Sequence, residues 1–396
     1  MFITGTKSRK NFSPSIKVSL IVSDRHLHII SFIVPFPVTH GGVFDIYYKI
    51  VALHKAGVKI YLHCFTEHHR QQPQLNQFCK EVFYYPRKRG LAGLSATLPY
   101  IVASRLDKRL LKKLAQDDHP VLIEGIHSAG LIRKLNTSRR KIILRLHNVE
   151  HDYYTQLFLA SSSTINKIYY YLESILLKKF EKNIANIPHV ILAVSANDVT
   201  TYKEQFNVKN IDLLPVFTGF TTNELPPGTG YFCLYHGNLS VPENEKAVAW
   251  LLKEIFADSS IPFVIAGKNP SLQLKQFIAH YTNARLVVDP SFEKMQGLIA
   301  DSQCNVLPSF NVTGIKLKII NALFHGRHCI VNSAAVSGSG LEKICHIVKT
   351  PSEFRDVVGQ LYEQPLAEAE IILRKKILHD LFDDNKNCEK LIQQIW

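Results

Sequence analysis

Two lysines, Lys316 and Lys318, stand at the start of an apolar segment that the sequence predicts to be a helix. Thr313 and Gly314 come directly before that segment. A helix N-terminus carries free N–H groups and the positive end of the helix dipole, so a cation there is slightly unfavourable. A bound anion removes this cost, and we therefore predict that these residues hold a phosphate or diphosphate. Solvent-facing lysines are the alternative, which Ile315 and the other aliphatic residues of the segment disfavour.

Three further turns place glycines between a predicted strand and a predicted helix. They are Gly41–Gly42, Gly237–Asn238 and Gly267–Lys268. Glycines at such a turn let backbone N–H groups approach an anion closely, so we predict that these turns also bind the ligand. An ordinary strand-to-helix turn is the alternative, and for Gly41–Gly42 taken alone it is the favoured one. That turn lacks the G-x-G-x-x-G spacing, which excludes a dinucleotide-binding fingerprint.

Polar side chains are concentrated at the ends of two other predicted strands. The segment RLHNVEHDYY carries Arg145, His147 and Glu150, and the segment IEGIHSAG carries His127. Because the carboxyl ends of parallel strands face the ligand crevice, we predict these four as candidate catalytic groups. A polar loop that caps the next helix is the alternative for His151 and Asp152, but it is disfavoured for Arg145 and His147, which lie within or next to the strand. A structural role for His127 is equally favoured. His147 and His151 lack a companion ligand cluster, so we expect no metal.

Short β-branched runs alternate with helical segments along the chain from residue 28 onwards. The runs are continuously apolar, which is typical of parallel strands covered on both faces. Two such halves predict an α/β protein with two doubly wound Rossmann-like domains and a ligand cleft between them. A stretch rich in Pro, Gly and Thr at 206–230 marks the boundary. We therefore predict an extension at 1–27, domains at 28–215 and 216–365, and a final amphipathic helix at 366–396.

The net charge is distributed unevenly over the 396 residues. Residues 1–200 contain 28 basic and 13 acidic residues, a balance of +15, whereas the remainder of the chain carries −1. This asymmetry indicates a polyanionic partner for the first half. The sequence lacks helix-turn-helix, zinc-finger and RNA-binding signatures, so nucleic acid is the least favoured partner and is not expected.

An anionic membrane surface is the favoured polyanion. Basic clusters lie at 86–90, 105–114 and 133–141. The middle cluster, read as a helix, places its leucines on one stripe with arginines and lysines around them. This pattern predicts a helix that rests on an anionic surface, and a merely solvated basic helix is the close alternative.

The remaining composition predicts a cytoplasmic protein. No apolar run reaches the roughly 20 residues that a membrane-spanning helix requires. The seven cysteines are scattered and odd in number, which indicates free thiols in a reducing compartment. We expect the protein to be either free in the cytoplasm or peripheral on the inner face of the membrane.

The order of these motifs resembles that of a known family. A GG turn follows the first strand, R-x-H-N-x-E-x-x-Y-Y lies mid-chain, HG opens the second half and PS…TGIKLKIINALFHG closes the series. From residue 28 the chain is similar to the retaining GT-B glycosyltransferases that build bacterial polysaccharides and glycolipids. The resemblance implies two Rossmann-like domains that face a cleft, with the acceptor on the first domain and the nucleotide sugar on the second. It also implies that the last helix packs back toward the first domain.

The activity implied by this resemblance is transfer of a hexosyl group with retention of configuration. The donor would be a nucleotide sugar, and the acceptor a glycan or a polyprenyl-diphosphate-linked glycan, with no metal or other cofactor. The residues then expected to contact the donor are Gly41, Gly42, Gly237, Asn238, Gly267, Lys268, Thr313, Gly314, Ile315, Lys316, Lys318 and Asn321.

The sequence departs from the family pattern at two places. The family's Glu-x7-Glu element corresponds to Thr313 and Asn321, so both carboxylates are missing. Asn238 and Leu239 stand where the family often has Arg and Lys, which makes Lys316 the main expected phosphate cation. These departures leave open a catalytically inactive or regulatory GT-B module that binds a nucleotide sugar or a partner enzyme. A nucleotide-sugar epimerase of the same fold also stays open.

Overall fold

The computed structural model describes residues 24–38, 41–67, 71–161, 163–221 and 228–396. Most of the extension predicted at 1–27 therefore lies outside the described residues. Its last residues belong to the fold, since the first strand begins at His26.

Seven parallel strands form the first sheet, in the order β3-β2-β1-β4-β5-β6-β7. The strands are β1 (His26–Ser31), β2 (Lys59–Thr66), β3 (Glu81–Pro86), β4 (Val121–Glu124), β5 (Ile142–Leu146), β6 (Val190–Ala193) and β7 (Ile211–Leu213). The helices are α1 (Gly41–Lys55), α2 (Tyr100–Ala103), α3 (Lys108–Leu114), α4 (Glu150–Ala160), α5 (Thr164–Ile184) and α6 (Ala196–Phe206). Short 3-10 helices occupy Pro73–Gln77, Gly90–Gly93 and Ile126–Lys134.

Six parallel strands form the second sheet, in the order β10-β9-β8-β11-β12-β13. The strands are β8 (Cys233–Asn238), β9 (Phe263–Lys268), β10 (Ala284–Val288), β11 (Cys304–Val306), β12 (His328–Val331) and β13 (His346–Ile347). The helices are α7 (Pro242–Glu254), α8 (Leu272–Ile278), α9 (Phe292–Asp301), α10 (Leu317–His325), α11 (Ser333–Val336) and α12 (Pro351–Tyr362), with a 3-10 helix at Glu342–Ile344.

Two doubly wound parallel sheets confirm the predicted α/β fold class. The central strands are buried on both faces, as in β5, where all five residues are buried. Continuous burial is what their apolar composition predicted. The strands predicted from the sequence differ from the observed strands in three places. The sequence prediction missed the edge strands β3 and β7, and it extended the first strand to Phe36, whereas β1 ends at Ser31 and the chain bends at Phe32 and Ile33.

Two helices, rather than one, occupy the C-terminal segment. They are α13 (Glu368–Phe382) and α14 (Asp384–Ile395), separated at Asp383, whose side chain caps α14. Leu378 of α13 belongs to the core of the second domain, whereas Leu391 of α14 belongs to the core beneath β1 and β2. The carboxylate of Asp384 accepts hydrogen bonds from the N–H groups of Thr218 and Gly219, 3.0 and 2.8 Å away. The end of the chain therefore ties both domains together.

The basic helix α3 does not turn its leucines outward. It begins at Lys108, because Asp107 caps it, and Leu110 and Leu114 are buried in the core of the first domain. Arg105, which the sequence reading placed on the surface of this helix, is buried and donates to the carbonyls of Phe32 and Ile101. Its guanidinium is thus unable to meet an anionic surface. Among the described residues, no helix is both long enough and apolar enough to cross a membrane.

A buried ion network joins α1, β4 and β5 to the segment that leads into the second domain. Asp45 lies between Arg145 and Lys49, with N–O distances of 3.1 and 3.0 Å. Although burial alone would raise the pKa of Asp45, Arg145 and Lys49 hold that pKa well below its ordinary value. Lys49 also pairs with Glu124 at 2.8 Å, and Asp45 accepts from the N–H of Phe217 at 2.9 Å. All these charges are buried, so each depends on its partners.

We predict that Asp45→Ala destabilises the first domain by about 3–5 kcal/mol, because Arg145 and Lys49 stay buried without their counter-charge. Urea unfolding in a Trp250→Phe background measures this, since Trp396 is then the only tryptophan and belongs to the segment packed on the first domain. Asp24→Ala removes the exposed pair with Lys59 and should leave the midpoint nearly unchanged. Equal midpoints for the two variants would contradict the prediction.

Candidate active site

A cavity of about 470 Å³ lies between the two domains, at the carboxyl ends of the strands. Val38, Gly41 and Phe44 contribute its first-domain side. The second domain contributes most of the wall, from the ends of β8 and β9 and from the start of α10. The predicted donor-contacting residues that line it are Gly41, Gly237, Asn238, Gly267, Lys268, Thr313, Ile315, Lys316, Lys318 and Asn321.

Two predicted residues, Gly42 and Gly314, lie outside this lining. Gly42 faces the ring of Phe32, to which a Cβ at this position would approach within 3.2 Å. Gly314 has a φ of 67°, and a Cβ there would overlap Oδ1 of Asn148 in the first domain. Glycine at 314 therefore satisfies both a left-handed backbone and a close approach between the two domains.

Part of the cavity wall is formed where two strands have a glycine as their next-to-last residue. Gly237 of β8 and Gly267 of β9 are neighbours in the parallel register. A Cβ on Gly267 would overlap the carbonyl oxygen of Gly237 and the side chain of Leu239. Without side chains at these two positions, the strand ends leave room for a ligand to approach the backbone.

Lys316 and Lys318 bring partly buried amino groups into the wall of this cavity. Lys316 precedes the first residue of α10, and its Nζ donates to the carbonyls of Thr313 and Gly314. The Nζ of Lys318 donates to Oη of Tyr235 at 2.9 Å and to Oδ1 of Asn244 at 3.0 Å. Burial lowers the pKa of Lys316 to about 8, and burial together with Lys316 lowers the pKa of Lys318 to about 7.

These two ammonium groups have neutral hydrogen-bond partners rather than a close counter-ion. Among the ion pairs of the described residues, none includes Lys316 or Lys318. The first turn of α10 forms the same wall, so the positive end of its dipole adds to the lysine charges. An anion placed here would gain two cations and a helix N-terminus together.

Glu243 and His236 also line the cavity, and the sequence reading missed both. The carboxylate of Glu243 accepts from Nδ2 of Asn311 at 3.1 Å, and Oδ1 of Asn311 accepts from the N–H and Oγ1 of Thr313, each at 2.8 Å. Glu243 thus brings a carboxylate close to the position where the family's first glutamate is replaced by Thr313. A signal for it was the acidic residue after Pro242 at a predicted helix start.

The imidazole of His236 is buried, and its Nε2 has no hydrogen-bond partner among the described residues. Burial, and then Lys318, lowers the pKa of His236 to about 3, so the ring is neutral at physiological pH. A buried polar atom without a partner at the cavity wall is a position where a ligand group completes a hydrogen bond.

None of the four predicted catalytic residues lines this cavity. Arg145 is fully buried in the ion network and also donates to the carbonyls of Leu214 and Pro215, so its role is to hold the interdomain segment. Glu150 is buried at the start of α4, where burial and then Glu181 raise its pKa to about 8.

His127 and His147 flank the ring of Phe32 at the carboxyl edge of the first sheet. His127 stacks on Phe32 with a centroid distance of 4.7 Å, and His147 meets it edge-on at 5.5 Å. Nε2 of His147 lies 3.0 Å from Glu124. Burial and then Arg105 place the pKa of His127 well below its ordinary value, so this ring is neutral.

The donor loop and the histidine cluster meet at one contact. Gly314 packs against Asn148, the residue after His147, and a Cβ on Gly314 would lie 3.9 Å from the carbonyl oxygen of His147. The two groups of predicted residues are therefore on adjoining parts of the interdomain surface, although they do not line one cavity.

Two groups in the described part of the chain have side chains grouped closely enough to hold a metal ion. The first consists of Asp45, Glu124 and His147, whose carboxylates already pair with Lys49 and Arg145. The second consists of His328, His346 and Glu370. It lies where β12 begins, at the opposite edge of the second sheet from the cavity.

Comparison with known sequences identifies the second domain. Residues 231–364 match the family model described as glycosyl transferases group 1. A Klebsiella pneumoniae protein, described as an uncharacterized 44.6 kDa protein in the cps region, is 28% identical over 327 residues. That alignment covers 77% of this chain and 82% of the relative.

Solved structures agree with the fold over nearly the whole chain. TarM superposes with a TM-score of 0.65 at 9% identity, covering 94% of this chain and 99% of TarM. A mutant of S. aureus TarM was solved in complex with Fondaparinux, alpha-GlcNAc-glycerol and UDP. Anabaena HepE, in complex with UDP and glucose, gives a TM-score of 0.61 at 11% identity over 93% of this chain and 98% of its own. These comparisons support a glycosyltransferase with the GT-B fold, in which residues 231–364 of the second domain match the glycosyl transferases group 1 model.

Proposed function

We propose that the protein transfers a hexosyl group from a nucleotide sugar to a glycan or lipid-linked acceptor, with retention of configuration. The observation that carries this proposal is the interdomain cavity, in which Lys316, Lys318 and the start of α10 converge while neither lysine forms an ion pair within the described part of the chain. UDP in the complexes of TarM and HepE supports a nucleoside diphosphate as the ligand. The relative in a cps region supports a role in cell-surface polysaccharide or glycolipid synthesis.

Departure of the nucleoside diphosphate is the step that this cavity would assist. As the bond between the sugar and the diphosphate breaks, negative charge develops on the leaving phosphate oxygens. Fixed cations and helix N–H groups in a site with little water stabilise such charge without reorganisation. In this proposal Lys316, Lys318 and the first turn of α10 supply that positive charge, so the reaction proceeds without a metal.

Transfer, rather than hydrolysis, fits the single carboxylate that the described residues contribute to the cavity lining. A hydrolase would place two carboxyl groups on either side of the scissile bond, whereas front-face attack by the acceptor within an ion pair does not require them. Glu243 is the carboxylate in the cavity lining, and we assign it to the hydroxyl groups of the donor sugar. It would thereby take over part of the role of the glutamates that Thr313 and Asn321 replace.

The acceptor would approach from the first-domain side. His127, Phe32 and His147 lie at the carboxyl edge of that domain, next to the contact between Asn148 and Gly314. A neutral histidine can accept or donate a hydrogen bond to an incoming hydroxyl group. We assign His127 and His147 to the acceptor side and Arg145 to positioning of the interdomain segment.

We predict that Lys318→Met weakens UDP binding by about 10- to 100-fold, the effect of one buried charge-assisted hydrogen bond. Met fills a similar volume, and removing a buried ammonium group does not cost stability, so the variant should fold. Lys316→Ala should weaken UDP binding in the same way, whereas Lys275→Ala, on the exposed side of α8, should not. Isothermal titration calorimetry with UDP measures all three, and unchanged affinity in both cavity variants would refute the assignment.

UDP affinity should depend on pH through the two cavity lysines. Their pKa values of about 7 and about 8 lie below the ordinary range, so in the empty protein both lose protons as the pH rises through 7 to 8. Bound diphosphate favours the charged forms, so affinity should fall by up to about tenfold per pH unit for each lysine as the pH rises from about 7 to about 9. Calorimetry in buffers of different ionisation enthalpy should show proton uptake on binding, and less uptake for Lys318→Met. Release of protons in this range would contradict the prediction.

Glu243→Gln should lower kcat/KM for transfer by about 100-fold while leaving UDP affinity nearly unchanged, because the carboxylate is assigned to the sugar rather than to the diphosphate. Glu254→Gln, exposed at the end of the same helix, is the matched control. Transfer is measured with a panel of nucleotide sugars and the corresponding glycan acceptors. A protein that binds UDP but transfers nothing from any donor would instead be a nucleotide-sugar-binding regulatory module.

A further inference from the structure

Helix α5 exposes a continuous apolar stripe. Ile165, Ile168, Leu172 and Ile175 are between 49% and 80% exposed. With 3.6 residues per turn these four side chains fall within about 80° of the helix circumference. Leu159, at the end of the preceding helix, is 65% exposed as well. A run of large aliphatic side chains on one exposed face is unusual for a surface in contact with water alone.

The opposite side of α5 accounts for its packing against the first domain. Leu177, Phe180 and Ile184 are buried in the core of that domain. Both glutamates of the helix are buried too. Glu173 accepts from the N–H groups that begin α2, and Glu181 accepts from His151 and Tyr202. The exposed stripe is therefore not needed to hold the helix in place.

The charge on the exposed surface of α5 is of one sign. Lys167, Lys178, Lys179 and Lys182 are exposed, and all residues of this helix are described. Because both of its carboxylates are buried, α5 presents lysines without exposed acidic neighbours of its own. Tyr169 and Tyr171 are also exposed beside the stripe. Aliphatic side chains flanked by tyrosines and lysines suit the boundary between lipid headgroups and acyl chains.

The apolar stripe lies beyond the carboxyl edge of the first sheet, the same edge that faces the cleft. Helix α4 starts directly after β5, at the carboxyl edge, and Asp152 in its first turn lines a crevice shared with Thr313 of the donor loop. Helix α5 returns to the start of β6, and only its C-terminal half packs on the core. At 1.5 Å per residue its 21 residues span about 31 Å, against about 13 Å for the four residues of β6. Its N-terminal half therefore projects beyond the carboxyl edge.

We propose that the exposed face of α5 docks on an anionic membrane and so holds the mouth of the cleft against a lipid-linked acceptor. The evidence for docking is the apolar stripe and the lysines. The role of docking, to hold the cleft at a lipid-linked acceptor, rests on the proposed glycosyl transfer. The surface differs from α3, whose leucines are buried. A second copy of the chain is the competing occupant. A two-fold contact of identical faces would set the lysines of α5 against each other, which disfavours it.

The test is sedimentation of the full chain with vesicles of phosphatidylcholine, with and without phosphatidylglycerol. Wild-type protein should bind the anionic vesicles in a salt-sensitive manner and bind the neutral ones at least about tenfold more weakly. Ile168→Glu/Leu172→Glu should lose at least about tenfold in affinity for the anionic vesicles, because both positions become charged. Leu272→Glu, at a leucine that is 70% exposed at the start of α8 in the second domain, should bind like wild type.

Three results would overturn the proposal. The first is unchanged vesicle binding by Ile168→Glu/Leu172→Glu, and the second is loss of binding only in Arg109→Glu/Lys112→Glu on α3. The third is a wild-type dimer that Ile168→Glu/Leu172→Glu dissociates in analytical ultracentrifugation, which would make the occupant a second copy. UDP calorimetry separates this proposal from the function. The α5 variant should bind UDP as wild type does, and absence of UDP binding in every protein would refute the function while leaving the membrane surface intact.

Discussion

The carboxylate of Asp45 is the point on which the arrangement of the two domains depends. It receives the guanidinium of Arg145 from β5 and the N–H of Phe217 from the interdomain segment. Asp45 belongs to the first turns of α1, the helix that carries Gly41 and Phe44 to the cavity. A buried charge is tolerated only in a fixed geometry that satisfies it, so this pairing fixes the helix and the interdomain segment relative to one sheet. The positions of Gly41 and Phe44 in the cavity wall therefore depend on the pairing of Asp45.

Buried charge is treated in opposite ways on the two sides of the cleft. In the first domain Lys49 meets Asp45 and Glu124, so its charge is compensated within the protein. In the second domain Lys316 and Lys318 meet carbonyl, hydroxyl and amide oxygens, and burial lowers the pKa of both amines. Charge that is fully paired within the protein stabilises the fold, whereas charge without an ion pair leaves free energy that a bound anion can recover. This contrast supports the cavity, rather than the larger network, as the proposed ligand site.

Ten of the twelve predicted donor-contacting residues line the cavity, because strand ends in a parallel sheet converge at one edge. Gly237 and Gly267 are 30 positions apart, yet the register makes them neighbours. The sequence analysis took Arg145 as a catalytic candidate. Its ion pair with Asp45 could not be predicted, because Asp45 lies 100 residues away and no local pattern indicates the pair. Glu243 was missed for a related reason. In the sequence Glu243 is simply an acidic residue in the first turn of a helix. Only the structure shows that Asn311 lies beside its carboxylate.

Composition located the basic excess in the first half but could not show which charges reach the surface. Three basic residues, Lys49, Arg105 and Arg145, are buried, so part of the positive charge of the first half lies inside the domain. In the basic helix α3, Leu110 and Leu114 lie in the core, and the contact of this helix with an anionic surface stays a prediction. Helix α5 shows the opposite arrangement to α3, because its glutamates are buried and its aliphatic stripe is exposed. Helix α4 joins this stripe to the donor loop over about 16 Å, the length of its 11 residues. The proposed lipid-facing stripe and the proposed anion cavity therefore lie at the two ends of one short helix.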